Sequence, residues 1–138
     1  MLLGLLIGII EQKLSNPRMG LAAHLEGIIN GTFLLVLGAI WGHVQLSARL
    51  SAAAHWSALY GTFVNWAVTT MAAIFGTLAM TPLTVTRSGG QPWQEAIVSV
   101  GFVSVALSMV ACAVLILWGL RPNALLLSGE VMAGSRTV

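Results

Sequence analysis

Between Glu95 and Arg121 this chain carries no charged residue, and most of the side chains in between are apolar. A run of about 20 such residues matches a hydrocarbon core about 30 Å thick, and inside that core the backbone must satisfy its own hydrogen bonds. Helices spanning a bilayer are therefore what this chain folds into. Composition agrees, with 57% apolar residues, 7% charged residues and a mean hydropathy of +0.91 in 138 residues. The reading is an all-α, single-domain integral membrane protein, a four-helix bundle. The net charge of +2 is too small and scattered for a nucleic-acid partner.

Apolar runs and breakers place the spans at about 1–14, 19–41, 55–79 and 93–120, with a tail from 121 to 138. The first is short: fourteen helical residues cover about 21 Å. Ser15, Asn16, Pro17 and Arg18 make the first turn, and a loop carrying His43, Arg49 and Ser51 follows the second span. Thr81, Pro82 and the run from Arg87 to Pro92 form the next loop, and Asn123 to Val138 form a surface segment and tail. Pro92 suits the first position of the fourth helix, where Glu95 meets the positive end of the helix dipole. Trp41, Trp56, Trp93 and Trp118 fall at predicted span ends, as interfacial aromatics do, whereas Trp66 falls mid-span. Cys112 is the one cysteine and reads as a small packing residue, as does the stripe of Gly101, Ser104 and Ser108.

Against this apolar background the stretch GLAAHLEGIIN, Gly20 to Asn30, places His24, Glu26 and Asn30 in one membrane helix. Such groups are costly in hydrocarbon, which makes them candidates for function. At about 100° per residue, Gly20, Gly27, Gly31, Gly38 and Gly42 lie within about 60° of His24. Glu26 and Asn30 share a face roughly 120° to 160° away. Gly27 and Gly31 form a GxxxG spacing that admits another backbone or a flat ligand. A histidine beside such a surface suits axial ligation of a haem, although a lone buried histidine is more often a hydrogen-bonded packing residue. His43 is about 28 Å from His24 along a helix, too far to share one haem, and with His55 reads as an interfacial anchor. In the third span Thr62, Asn65, Thr69 and Gly76 share a face. Asn30 and Asn65 each lie roughly 14 to 16 Å from their span ends, so two amides and Trp66 are expected near the bilayer midplane. An interhelical amide hydrogen bond is the plain structural alternative.

The segment NPRMGLAAHLEGIINGTFLLVLGAIW resembles the signature region of bacterial hydroxylaminobenzene mutases, and the likeness runs on through ALYGTFVNWA. More distantly, Ala23-His24 followed by Asn30-Gly31 resembles the AH-x5-NG pattern of styrene oxide isomerases, which are haem-bearing trimers of four-helix subunits. The resemblance implies a multi-pass enzyme of the bacterial cytoplasmic membrane, assembled as a homotrimer, that turns hydroxylaminobenzene into 2-aminophenol. It implies haem b with His24 as ligand to the iron, on the groove of Gly27 and Gly31, and Asn30 at the substrate. Asn65 is expected to assist Asn30, Tyr60 and Trp66 to stack on the ring, and Glu26 to shuttle a proton or to bond across a subunit interface. Glu26 departs from the isomerase pattern, which has a small residue there, and the isomerase's third-helix tyrosine has no certain counterpart. A membrane epoxide isomerase and a non-enzymatic haem-carrying membrane subunit are the competing readings.

Overall fold

The computed structural model describes residues 1–80 and 90–121. The expected loop residues Thr81, Pro82 and Arg87, and the expected tail from Asn123, lie outside them. Four helices follow one another: α1 (Leu2–Ile10), α2 (Pro17–Ile40), α3 (Ala48–Phe75) and α4 (Pro92–Gly119). There is no strand among the described residues. Three of the helices, α2, α3 and α4, are long and apolar enough to cross a membrane. Together with the short α1 they make the expected all-α membrane bundle. Each helix packs on the one before it, so that α3 is held between α2 and α4.

The helix ends differ from the sequence boundaries for local reasons. The first helix stops at Ile10, and Glu11–Lys13 is a 3₁₀ turn, so α1 covers only about 14 Å. α2 starts at Pro17, whose missing N–H costs nothing at the first helical position, and Asn16 caps it by accepting from Met19 N at 3.2 Å. The backbone N–H of Asn16 also donates to Ala73 O at 3.0 Å, which docks this turn on α3. α3 begins at Ala48, not near His55, so Arg49 and Ser51 belong to its first turn and not to a loop. Hydropathy marks where hydrocarbon begins, whereas the backbone ladder runs on into the interface. α3 ends at Phe75, not Ala79, because Gly76 takes a left-handed conformation at φ 67° and sends its N–H to Ala72 O. Gly76 is thus a cap and no part of a polar face. At α4 the capping pair is Gln91 with Gln94. Glu95 does more than meet a dipole: its carboxylate accepts from Leu78 N at 2.8 Å, Ala79 N at 2.9 Å and Gly90 N at 3.2 Å, tying the exit of α3 to the start of α4.

Two apolar clusters hold the bundle. Met19, Val68, Ala72, Ala73 and Val98 fill one end, and Leu37, Ala54, Ala58, Cys112 and Ile116 the other. Cys112 packs as a small apolar side chain, as expected. α3 and α4 approach closely where Gly101 faces Val68 and Gly61 faces Met109. At the far end His55 contacts Trp41 and Trp56 edge-on, each at 5.8 Å. Arg121 lies over Trp118 at 5.5 Å, a cation–π contact suited to an interface. Between the apolar ends lies a polar level shared by α2 and α3.

Candidate functional site

The glycine stripe of α2 receives α1. A Cβ on Gly27 would overlap Gly4 Cα, and one on Gly4 would come within 2.7 Å of His24 O, so the two backbones touch. Gly31 meets Met1 in the same way. The partner motif is Gly4-Leu5-Leu6-Ile7-Gly8, a second GxxxG that sequence reasoning passed over although the signal was present. The groove expected for a flat ligand is thus where α1 sits.

His24 is half-buried beside that contact, with Nδ1 2.9 Å from Gly4 O. A carbonyl only accepts, so Nδ1 carries the hydrogen, and the lone pair of the neutral ring is on Nε2. Nε2 has no hydrogen-bond partner among the described residues and is not sealed in the interior. An Nδ1–H anchored on a backbone carbonyl with Nε2 left for iron is the arrangement that ligating histidines adopt. Nε2 of His24 is therefore a donor of the kind a haem iron takes.

Asn30 lies one and a half turns further along α2. Its Nδ2 donates to Thr62 O on α3 at 3.1 Å, and because that acceptor is a carbonyl the orientation of the amide is fixed. The second N–H and Oδ1 remain for a ligand. Thr62 Oγ1 bonds back to Ala58 O and Leu59 O, which takes its hydroxyl out of the site. Asn30, Thr62 and Trp66, with Gly27, Gly31, Leu34 and Phe63 and with Met1 and Leu3 closing one side, line a half-open cleft of about 50 Å³. That is well below the range for small-molecule sites, so an aromatic ring enters only as the walls part. Its apolar wall with a single oriented amide matches in chemical character one aromatic ring bearing a small polar group.

Three expected site residues lie elsewhere. Asn65 makes no side-chain hydrogen bond among the described residues, and the amide of Asn30 pairs with Thr62, so the two amides do not meet. Tyr60 is 46% exposed and points along the α3–α4 seam, its hydroxyl 2.9 Å from Ser104 Oγ, so it does not share the cleft with Trp66. Glu26 is one turn before Asn30, with its carboxyl against Thr69 on α3. His43 and His55 both lie toward the opposite end of α2 from His24. No group of three or more metal-ligating side chains occurs among the described residues.

Fold and site together define a small multi-pass membrane protein that holds an oriented amide and an aromatic wall inside the bilayer, one helical contact from an anchored histidine. The chain belongs to the styrene oxide isomerase family, whose family model matches residues 1–121. It is similar to hydroxylaminobenzene mutase HabB of Ectopseudomonas oleovorans, 41% identical over 121 residues, which are 87% of this chain and 74% of that relative. It is also similar to hydroxylaminobenzene mutase HabA of the same organism, 33% identical over 86% of this chain and 89% of the relative. No solved structure matches the chain.

Proposed function

We propose that this protein is an isomerase of the bacterial cytoplasmic membrane, a homotrimer that converts hydroxylaminobenzene to 2-aminophenol. The observation that carries the reading is the cleft between Asn30 and Trp66, lying within the stretch matched by the family. In this reaction the N–O bond breaks, a C–O bond forms at the ortho carbon, the ortho hydrogen leaves as a proton and the nitrogen gains one. Atoms and electrons balance without an oxidant.

Asn30 is the catalytic amide. Tethered through Thr62 O, it offers its remaining N–H to the migrating oxygen and Oδ1 to the substrate N–H, holding both ends of the breaking bond. Trp66 and Phe63 give the ring an apolar wall, and the indole face favours the positive charge that spreads into it. The same wall keeps bulk water from intercepting the ring before the hydroxyl returns. Glu26 takes the proton released on rearomatisation. His24 would hold a haem b through Nε2, and the haem would supply Lewis-acid chemistry.

Purified protein given hydroxylaminobenzene labelled with ¹⁸O is expected to yield 2-aminophenol retaining the label. Product lacking the label would mean that water supplies the oxygen, and absence of product would end the proposal. The family match favours one alternative, opening of a strained epoxide to an isomeric aldehyde, and styrene oxide run alongside separates the two. A Soret band in the purified protein, lost in His24→Ala, is expected for the haem; its absence in the parent chain removes haem from the mechanism.

A further inference from the structure

Threonines inside helices ordinarily return their hydroxyl to the carbonyl one turn earlier. Thr32 donates to Ile28 O at 3.0 Å, Thr62 to Ala58 O at 2.8 Å and Thr70 to Trp66 O at 2.8 Å. Thr69 does not. Its side chain is fully buried, at 0% exposure, and Oγ1 bonds to no backbone carbonyl. An unpaired hydroxyl in the interior of a membrane protein is costly, and giving up the carbonyl within its reach makes it more so.

What faces this hydroxyl is the carboxyl of Glu26, whose Oε2 is likewise buried without a hydrogen bond. Helix geometry explains the meeting. The Asn30–Thr62 bond and the contact of Gly27 with Trp66 set an antiparallel register that puts Glu26 opposite Trp66 and Ala23 opposite Thr69. Side chains lean toward the N-terminus of their own helix, so Glu26 reaches back toward the level of Ala23 while Thr69 reaches back toward Trp66. The two converge in the seam behind the cleft. Trp66 Nε1, one turn before Thr69 on the same face, is also buried without a partner.

We propose that Thr69 is a positioning residue whose hydroxyl donates to the carboxyl of Glu26 and holds it in the α2–α3 seam behind the Asn30 cleft. The pairing stands on the geometry of the seam; its effect on turnover rests on the reaction proposed above. Thr69 never touches substrate and acts through Glu26.

The test uses the full chain purified in detergent, with Thr69→Val, which keeps the shape and removes the hydroxyl, Thr69→Ala as a second deletion, and Thr69→Ser, which restores the donor. The infrared carboxyl band of Glu26, identified by its loss in Glu26→Gln, is expected to shift in Thr69→Val and Thr69→Ala and to return in Thr69→Ser. An unmoved band in whichever deletion variant folds overturns the pairing. Turnover of hydroxylaminobenzene is expected to fall about tenfold in kcat with KM kept in Thr69→Val, the scale of one lost hydrogen bond. No further fall is expected when Thr69→Val is added to Glu26→Gln, since the residue acts only through the carboxyl. Additive losses in that double variant overturn the positioning role. A shifted band in a protein that does not turn over hydroxylaminobenzene supports the pairing and sinks the reaction; turnover with an unmoved band does the reverse.

Discussion

Asn30 shows how a single polar side chain becomes specific inside a membrane. An asparagine amide has two donors and two acceptor positions, and in hydrocarbon each unmet one is costly. One N–H on Thr62 O is enough to hold the side chain across the α2–α3 gap and to fix which end of the amide faces the cleft. Asn30→Ala is expected to lower kcat about 10²-fold or more, the range for loss of a donor aimed at a developing charge. Stability should fall by only about 1 kcal/mol, because an interhelical hydrogen bond within a membrane is worth about that. Asn30→Asp, which replaces the tethering N–H by an oxygen facing a carbonyl, should lose activity and also unfold more readily. A kinetic comparison alongside thermal denaturation of the three proteins checks both statements; an active Asn30→Asp would contradict the tether.

At the scale of elements, the contact of α1 with α2 is the one that shapes the site. Gly4 and Gly27 let two backbones touch, and the same approach brings Gly4 O to the ring of His24. Gly27→Ala places a methyl group where Gly4 backbone atoms stand, which a side-chain rearrangement cannot relieve. The expected cost is about 1–3 kcal/mol, as for overpacking elsewhere. Gly38, on the same stripe of the same helix, has nothing within 4 Å of an added Cβ. Gly38→Ala is therefore expected to leave the melting temperature unchanged or slightly raised. Equal losses in the two variants, measured in one detergent, would show that α1 does not seat on the stripe.

The whole molecule turns its apolar side outward. Val100, Val103, Leu107, Val110, Val114 and Leu117 of α4 are all more than half exposed, which is unsustainable in water and ordinary in lipid. Leu107 is 69% exposed near the middle of α4. Leu107→Lys should lower membrane insertion by about 2.5–3.5 kcal/mol, the penalty for a charge at a helix centre. The yield of inserted protein in isolated membranes measures it, and an unchanged yield would place this face in a water-filled cavity. The cleft of Asn30 and Trp66, in contrast, sits where α2 and α3 face one another.

The number of membrane spans, the short first helix, the turn at Pro17 and the set of polar residues from which the site is drawn were legible in the residues alone. These follow from side-chain solvation, a property each residue carries with it, and the cost of His24, Glu26 and Asn30 in hydrocarbon marked them without any knowledge of their neighbours. Tertiary structure alone decided the partners. Thr62 holds Asn30 through a backbone carbonyl, Gly4 holds His24 through another, and Glu95 takes three backbone amides. A backbone group leaves no mark in the sequence, so no spacing rule pairs it with a side chain. The rotational phase of each helix decided the rest. It turned Tyr60 toward Ser104, kept Asn65 apart from Asn30 and filled the glycine stripe with α1. Thr69, one threonine among several by sequence, became distinct only when its neighbours' hydroxyls all turned back on their own helices and its own faced Glu26.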